Sequence, residues 1–79
     1  MILPNKLITF NESILRKTAY ILDELSMDKR QIKELYYKVK DKFEDINQYI
    51  IALDVLFVLG KINYNIELQV VEYVETDLL

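Results

Sequence analysis

A chain of 79 residues, 52% hydrophobic and with a formal charge of −3, is long enough for one domain with one small core. It contains no Cys and no His, which excludes disulfides, the usual zinc ligands and the commonest nucleophile–base pairs. We therefore expect no catalytic, cofactor-binding or metal-binding residues, and stability that depends on tight packing or on a partner protein.

The sequence shows neither a secretory leader nor a membrane span. The opening residues, MILPNK, lack a basic region followed by a long apolar run. The apolar run at residues 50–59 is interrupted by Asp54 and falls short of the ~20 residues that a bilayer-spanning helix needs. We expect a cytoplasmic protein.

The first segment combines a predicted extended stretch with a predicted helix. Pro4 and the run at residues 7–10 indicate a short strand or arm over residues 1–10. Asn11 is a suitable N-cap for a helix over about 12–25. Apolar residues and one threonine recur there at helical spacing, at Ile14, Leu15, Thr18, Ile21, Leu22 and Leu25.

Two further helices are predicted over about 28–43 and 46–59. Each begins with an Asp followed three residues later by a Gln, a pattern typical of a capping box. Gly60 falls where a helix usually ends in the left-handed conformation. The two capping pairs are Asp28 with Gln31 and Asp45 with Gln48. The side of the second helix that is predicted to face the core comprises Ile32, Leu35, Tyr36, Val39 and Phe43.

The third helix is apolar on almost every side. Between Tyr49 and Leu59 the only polar residue is Asp54. A helix of this kind is normally buried on more than one side, and a chain of 79 residues has little protein with which to cover it. We infer that a partner covers part of this helix. Asp54 lies either on an exposed strip, near Lys61 or a backbone donor, or in a salt bridge to a partner's Arg or Lys.

A hairpin over about 61–74 is predicted to complete the chain. Its strands are 61–64 and 66–74, with a tight turn near residues 63–65, and the alternation of Ile66, Leu68 and Val70 suits a half-buried strand. The order strand or arm, three helices, hairpin predicts a single winged-helix domain over residues 1–79, α+β and mainly α, in which the hairpin is the wing.

Winged helices often bind DNA, but the side chains here do not suit base recognition. The third helix presents Ile51, Val55 and Val58, which cannot hydrogen-bond to base edges. Glu67 and Glu72 in the hairpin would repel phosphate. The best candidates for nucleic-acid contact are Lys29, Lys33 and Lys40, a lysine ridge beside Tyr37 that is better explained as a solvated face.

Several stretches resemble a known family. These are the opening MILPNK, Glu12–Leu15, Ile32–Leu35 and above all Ala52–Ile62 (ALDVLFVLGKI), which look like the small middle component of bacterial three-component ABC-ATPase systems. The resemblance covers roughly residues 1–65. It weakens after Gly60, where similar proteins usually show a Gly-containing acidic hairpin turn and this chain has Asn63-Tyr64-Asn65 and a longer apolar run.

The resemblance implies a non-enzymatic adaptor that joins an SMC/Rad50-like ABC ATPase to a third protein component in a conflict or anti-phage system. With the apolar third helix, it points to docking through Ile51, Asp54, Val55 and Val58, with Phe10 and Tyr73 as secondary partner-binding candidates. Two alternatives stay open. One is a homodimer that buries the same apolar surface, and the other is a small DNA-binding regulator that uses the lysine ridge.

Overall fold

The computed structural model describes residues 4–75, with side chains from residue 14 onward. The helices are α1 (Pro4–Met27), α2 (Ile32–Val39) and α3 (Ile46–Val58), and the strands are β1 (Ile62–Asn65) and β2 (Val70–Tyr73). A short 3-10 helix (Lys40–Lys42) follows α2. The prediction of a mainly helical α+β chain, with three helices and a C-terminal two-stranded hairpin, is confirmed.

The N-terminal strand or arm predicted over residues 1–10 is wrong from Pro4 onward, because α1 begins there. Residues 1–3 lie outside the described residues. Proline suits the first position of a helix, since the N–H that it lacks would have no partner in the first turn. In the sequence, Leu7, Ile14 and Ile21 also stand seven residues apart, so the helical pattern extends towards the N-terminus.

The second helix begins later than predicted, at Ile32. The predicted capping box between Asp28 and Gln31 is wrong: Asp28 Oδ1 accepts from the backbone N–H of Lys29 at 2.8 Å. The backbone N–H of Gln31 instead donates to Glu34 Oε1 at 3.4 Å. A side-chain acceptor one turn further along therefore fixes the start of α2.

Both ends of α3 follow from local hydrogen bonding. Asp45 Oδ1 accepts from the backbone N–H of Gln48 at 2.9 Å, which caps the first turn. At the other end Gly60 adopts a φ of 73°, the left-handed conformation expected of it. The N–H of Lys61 then reaches back to the carbonyl of Leu56 at 2.9 Å, as in a Schellman motif.

The hairpin turns later than predicted. Strands β1 and β2 are antiparallel, and the register pairs Asn65 with Val70, so the turn comprises residues 66–69 rather than 63–65. Asn65 Oδ1 accepts from the backbone N–H of Leu68 at 3.0 Å, which stabilises this turn. The half-buried strand positions predicted for Ile66 and Leu68 are wrong, because both side chains are exposed in the turn.

The core lies where α1, α2, α3 and the hairpin meet. The ring of Tyr49, fully buried at its centre, lies 4.9 Å from Tyr36 and 5.7 Å from Phe43 between centroids. The Tyr49 hydroxyl donates to the carbonyl of Ile32 at 2.8 Å, and burial raises the pKa of this phenol. The other buried hydrophobic residues are Ile14, Ile21, Leu25, Leu35, Val39, Ala52, Leu53, Leu56, Ile62 and Val71.

Candidate docking surface

α3 buries one side and exposes the other. Tyr49, Ala52, Leu53 and Leu56 face the core. The four α3 residues named from the sequence as partner-binding lie on the opposite side, since residues three or four positions apart share one face of a helix. We call Ile51, Asp54, Val55 and Val58 the α3 face: Val55 is half-buried and the other three are exposed.

Exposure varies along the α3 face. Val58 leaves 85% of its surface exposed and Ile51 leaves 37%. Val55 packs against the core with its inner part. Val58 can therefore contact a partner without any change in the fold, whereas Val55 serves the core and the surface together.

A cleft between α1 and α3 extends the α3 face. It has a volume of about 270 Å³ and is lined by Ile14, Leu15, Val55 and Leu59. Leu15 and Leu59 are more than half exposed, and the sequence did not mark either as a partner contact. The adjacent pair Ile14–Leu15 was a usable signal, because two consecutive residues of a helix cannot both point to the centre of one core.

A polar contact fixes α1 against the start of α3. Lys17 Nζ donates to Gln48 Oε1 at 2.7 Å, and the same oxygen accepts from the backbone N–H of Glu44 at 2.9 Å. Lys17 Nζ also lies 5.9 Å from the centroid of the Phe43 ring. These contacts hold the two helices whose side chains form the α1–α3 cleft.

Asp54 is exposed among the apolar residues of the α3 face. In the free chain its carboxylate stays in contact with water, so it carries little desolvation cost. A partner that covered the α3 face would remove that water, and a buried carboxylate without a cationic partner is costly. Asp54 therefore favours partner surfaces that place a cationic side chain against the α3 face.

The two secondary candidates do not lie in the α1–α3 cleft. Tyr73, with 43% of its surface exposed, lines a different cavity of about 320 Å³ together with Leu25, Ser26 and Glu75. Phe10 belongs to α1, and its side chain lies outside the described part of the structure. Tyr73 is thus separate from the residues with which the sequence grouped it.

The lysine ridge is exposed along its length. Lys29 precedes α2 rather than lying on it, Lys33 lies in α2 and Lys40 begins the 3-10 helix. All three side chains are exposed, and Lys40 Nζ lies 5.4 Å from the centroid of the Tyr37 ring. An exposed lysine over an exposed aromatic ring is a common surface arrangement and does not require a ligand.

Among residues 4–75, no helix has both the length and the apolarity needed to cross a membrane. Within residues 14–75, whose side chains are described, no group of three or more His, Cys, Asp or Glu side chains is arranged to hold a metal ion.

Comparison with known proteins identifies the family. A family model described as "ABC-three component (ABC-3C) system Middle Component 7" matches residues 3–71, which is most of the chain. No curated protein and no solved structure matches. The matched region includes all three helices and most of the hairpin. The chain therefore belongs to the Middle Component 7 family of ABC-three component systems.

Proposed function

We propose that this chain is a non-enzymatic adaptor that joins the SMC/Rad50-like ABC ATPase of its system to the third component. The observation that supports this proposal is the apolar surface formed by the α3 face and the α1–α3 cleft. Its exposed members include Leu15, Ile51, Val58 and Leu59. In protein interfaces a few side chains buried in the dry centre of the contact supply most of the affinity, and this apolar surface can form such a centre.

The α3 face contacts the ATPase in this proposal. Ile51, Val55 and Val58 are its anchors, and Asp54 forms a salt bridge to an Arg or Lys of the ATPase. A partner cation would compensate for the loss of water around Asp54, and it would also give the interface a defined orientation. Phe10 and Tyr73 are secondary contacts.

We assign no catalytic step to this chain. The sequence offers neither His nor Cys as a base or nucleophile. In the proposed assembly the ATPase hydrolyses ATP, and the adaptor holds the ATPase and the third component together. A winged-helix arrangement is supported by the order helix, helix, helix, hairpin and by the pairing of Val71 with Arg30, between α1 and α2.

Co-expression with the ATPase and the third component of the same system tests the proposal. We expect the wild-type chain to form a complex of fixed stoichiometry, measured as mass in solution. Val58→Glu should prevent binding of the ATPase, because it places a charge in the interface at a site that is 85% exposed. Val55→Glu is a poorer probe, since Val55 also packs against the core.

Met27→Glu is the matched control for Val58→Glu. Met27 is the last residue of α1, is 73% exposed and lies outside the α3 face. Both variants should unfold at the wild-type temperature. The proposal is wrong if Val58→Glu binds the ATPase as the wild type does. It is also wrong if the wild-type chain forms a tight dimer that binds neither component.

The lysine ridge provides a test of the DNA-binding alternative. If the chain itself binds duplex DNA, binding should weaken steeply with salt and should fall when Lys33 and Lys40 are replaced by Ala. Under the adaptor proposal the isolated chain shows no such binding, and the double replacement leaves the complex with the ATPase intact. Salt-dependent DNA binding by the isolated chain would favour the regulator instead.

We further propose that the complete system acts in bacterial defence against phage. This rests on what the resemblance of the sequence to the small middle component of bacterial three-component ABC-ATPase systems implies. Bacteria that carry the genes of all three components should form fewer plaques than bacteria without them, and Val58→Glu should restore the plaque number. Equal plaque numbers across a panel of phages would remove the defence role while leaving the adaptor proposal intact.

A further inference from the structure

We propose that the tip of the β1–β2 hairpin, residues 66–69, is a second docking element that inserts into an apolar groove with a basic rim on a partner protein. This inference rests on the proposed adaptor function. The hairpin tip would bind the third component, whereas the α3 face binds the ATPase. All four residues of the hairpin tip are exposed, two of them are apolar, and none of them lines the α1–α3 cleft.

Two large apolar side chains project from the hairpin tip. Ile66 is 79% exposed and Leu68 is 56% exposed. Turns of this kind normally carry Gly, Asn, Asp, Ser or Pro, which suit turn geometry and water. The exposed apolar pair does not contribute to the hydrophobic core. We infer that its role is to contact a partner protein.

The hairpin tip is held in one shape before any partner binds. Asn65 Oδ1 accepts from the backbone N–H of Leu68 at 3.0 Å, and Asn65 Nδ2 donates to Glu72 Oε2 at 3.2 Å on the opposite strand. A side chain at the end of β1 thus braces both the turn and β2. A preorganised element loses less conformational entropy on binding, so two apolar side chains can anchor it.

The charge of the hairpin indicates the chemistry of the partner. Residues 62–73 contain Glu67 and Glu72 and no Lys or Arg. Glu67 stands between the two apolar residues of the hairpin tip and is exposed. An apolar groove bordered by Lys or Arg would match this pattern, whereas an acidic border would repel it.

The test compares the double variant Ile66→Ser, Leu68→Ser with Val58→Glu. Binding to the purified ATPase and to the purified third component of the same system is measured separately. We expect the double variant to lose at least about tenfold in affinity for the third component and to keep its affinity for the ATPase. Val58→Glu should show the opposite pattern. Met27→Ser, an exposed apolar residue outside both surfaces, should bind both components normally.

A charge variant at the same site gives an independent result. Glu67→Lys reverses one exposed charge without touching the apolar pair, so it remains informative if the double variant unfolds more easily. We expect it to weaken binding to the same component several-fold at low salt and less at high salt. An unchanged affinity at low salt would show that the rim of the groove is not basic and would overturn the proposal.

The remaining outcomes are also decisive. The proposal is overturned if the double variant binds both components with wild-type affinity. It is also overturned if the double variant and Val58→Glu lose binding to the same component, or if the double variant loses binding to both. Loss of self-association instead would show that the hairpin tip binds a second copy of this chain. If the wild-type chain binds neither component, the proposed adaptor function itself fails.

Discussion

Arg30 and Val71 exchange two backbone hydrogen bonds. The N–H of Arg30 donates to the carbonyl of Val71 at 3.2 Å, and the N–H of Val71 donates back to the carbonyl of Arg30 at 2.7 Å. Val71 is fully buried in β2, and Arg30 lies in the connection between α1 and α2. This pair joins the hairpin to the helices, so the position of the hairpin depends on it.

The side chain of Arg30 reinforces the same junction. Its Nε lies 3.5 Å from Glu24 Oε1 in α1, and Nη1 lies 3.9 Å from Glu34 Oε2 in α2. The Nε contact is an ion pair without the geometry of a hydrogen bond, because that buried nitrogen has no hydrogen-bond partner among the described residues. The backbone pair is therefore the stronger part of the junction.

Arg30→Pro should lower the free energy of unfolding by about 2 kcal/mol or more, because proline has no N–H to donate to the buried carbonyl of Val71. Arg30→Gln is the control: it keeps the backbone pair and loses the ion pairs, which should cost less than about 1 kcal/mol. Urea denaturation measures both. Equal stabilities of the two variants would show that the backbone pair does not hold the hairpin.

Tyr49→Phe should lower the free energy of unfolding by about 1–2 kcal/mol. The ring stays in the core, but the carbonyl of Ile32 loses the hydroxyl that donates to it at 2.8 Å. Tyr37→Phe, at a ring that is 59% exposed, should leave the stability unchanged. Thermal and urea unfolding of both variants check the difference. A stable Tyr49→Phe variant would show that water replaces the lost donor.

Stability should fall in alkaline solution partly because of Tyr49. Burial raises the pKa of its phenol above the usual value of about 10, so the folded chain keeps the proton longer than the unfolded chain does. Above a pH of about 10 the unfolded state binds fewer protons, and the free energy of unfolding decreases as the pH rises. Below that pH this contribution is constant.

Comparison with Tyr49→Phe isolates this effect from the other tyrosines and the lysines. The variant lacks the phenol, so its free energy of unfolding should decline less steeply above a pH of about 10. The measurement is a series of urea titrations at increasing pH on both proteins. Parallel curves would mean that Tyr49 ionises as readily in the folded chain as in the unfolded one.

Gly60→Ala should destabilise the chain by about 1 kcal/mol. A Cβ at residue 60 would meet nothing within 4 Å, so the cost comes from the φ of 73° and not from a clash. Gly60→Asn should cost less, since asparagine tolerates the left-handed conformation better. Melting temperatures check this: we expect the wild type to melt highest, Gly60→Asn next and Gly60→Ala lowest. An Ala variant as stable as wild type would mean that the end of α3 rearranges.

Features decided within a few residues were predictable from the sequence. The cap at Asp45 and the left-handed end of α3 at Gly60 depend on backbone groups three or four positions away, so the residue type identifies them. The start of α2 was less predictable, because the stretch contains two carboxylates that accept from backbone N–H groups: Asp28 accepts from Lys29, and Glu34 accepts from Gln31. The N-terminal part of α1 was missed because apolar residues at positions 7, 8 and 10 fit a strand as well as a helix.

The position of the hairpin turn was not predictable from alternation alone. Ile66, Leu68 and Val70 alternate with polar residues, and this pattern is typical of a half-buried strand. The turn is fixed instead by Asn65, whose side chain binds the N–H of Leu68, and by the attachment of Val71 to Arg30. The second of these contacts joins residues far apart in the chain, so no local pattern contains it.

The sequence by itself determined the helical class, the hairpin, the family resemblance and an excess of apolar residues for a chain of this length. Only the tertiary structure decided which apolar residues stay exposed. Leu15, Val58 and Ile66 belong to the same residue classes as buried Ile14, Leu53 and Val71. The difference arises because packing between distant segments selects one side of each element, and composition and spacing do not specify which neighbours will cover it.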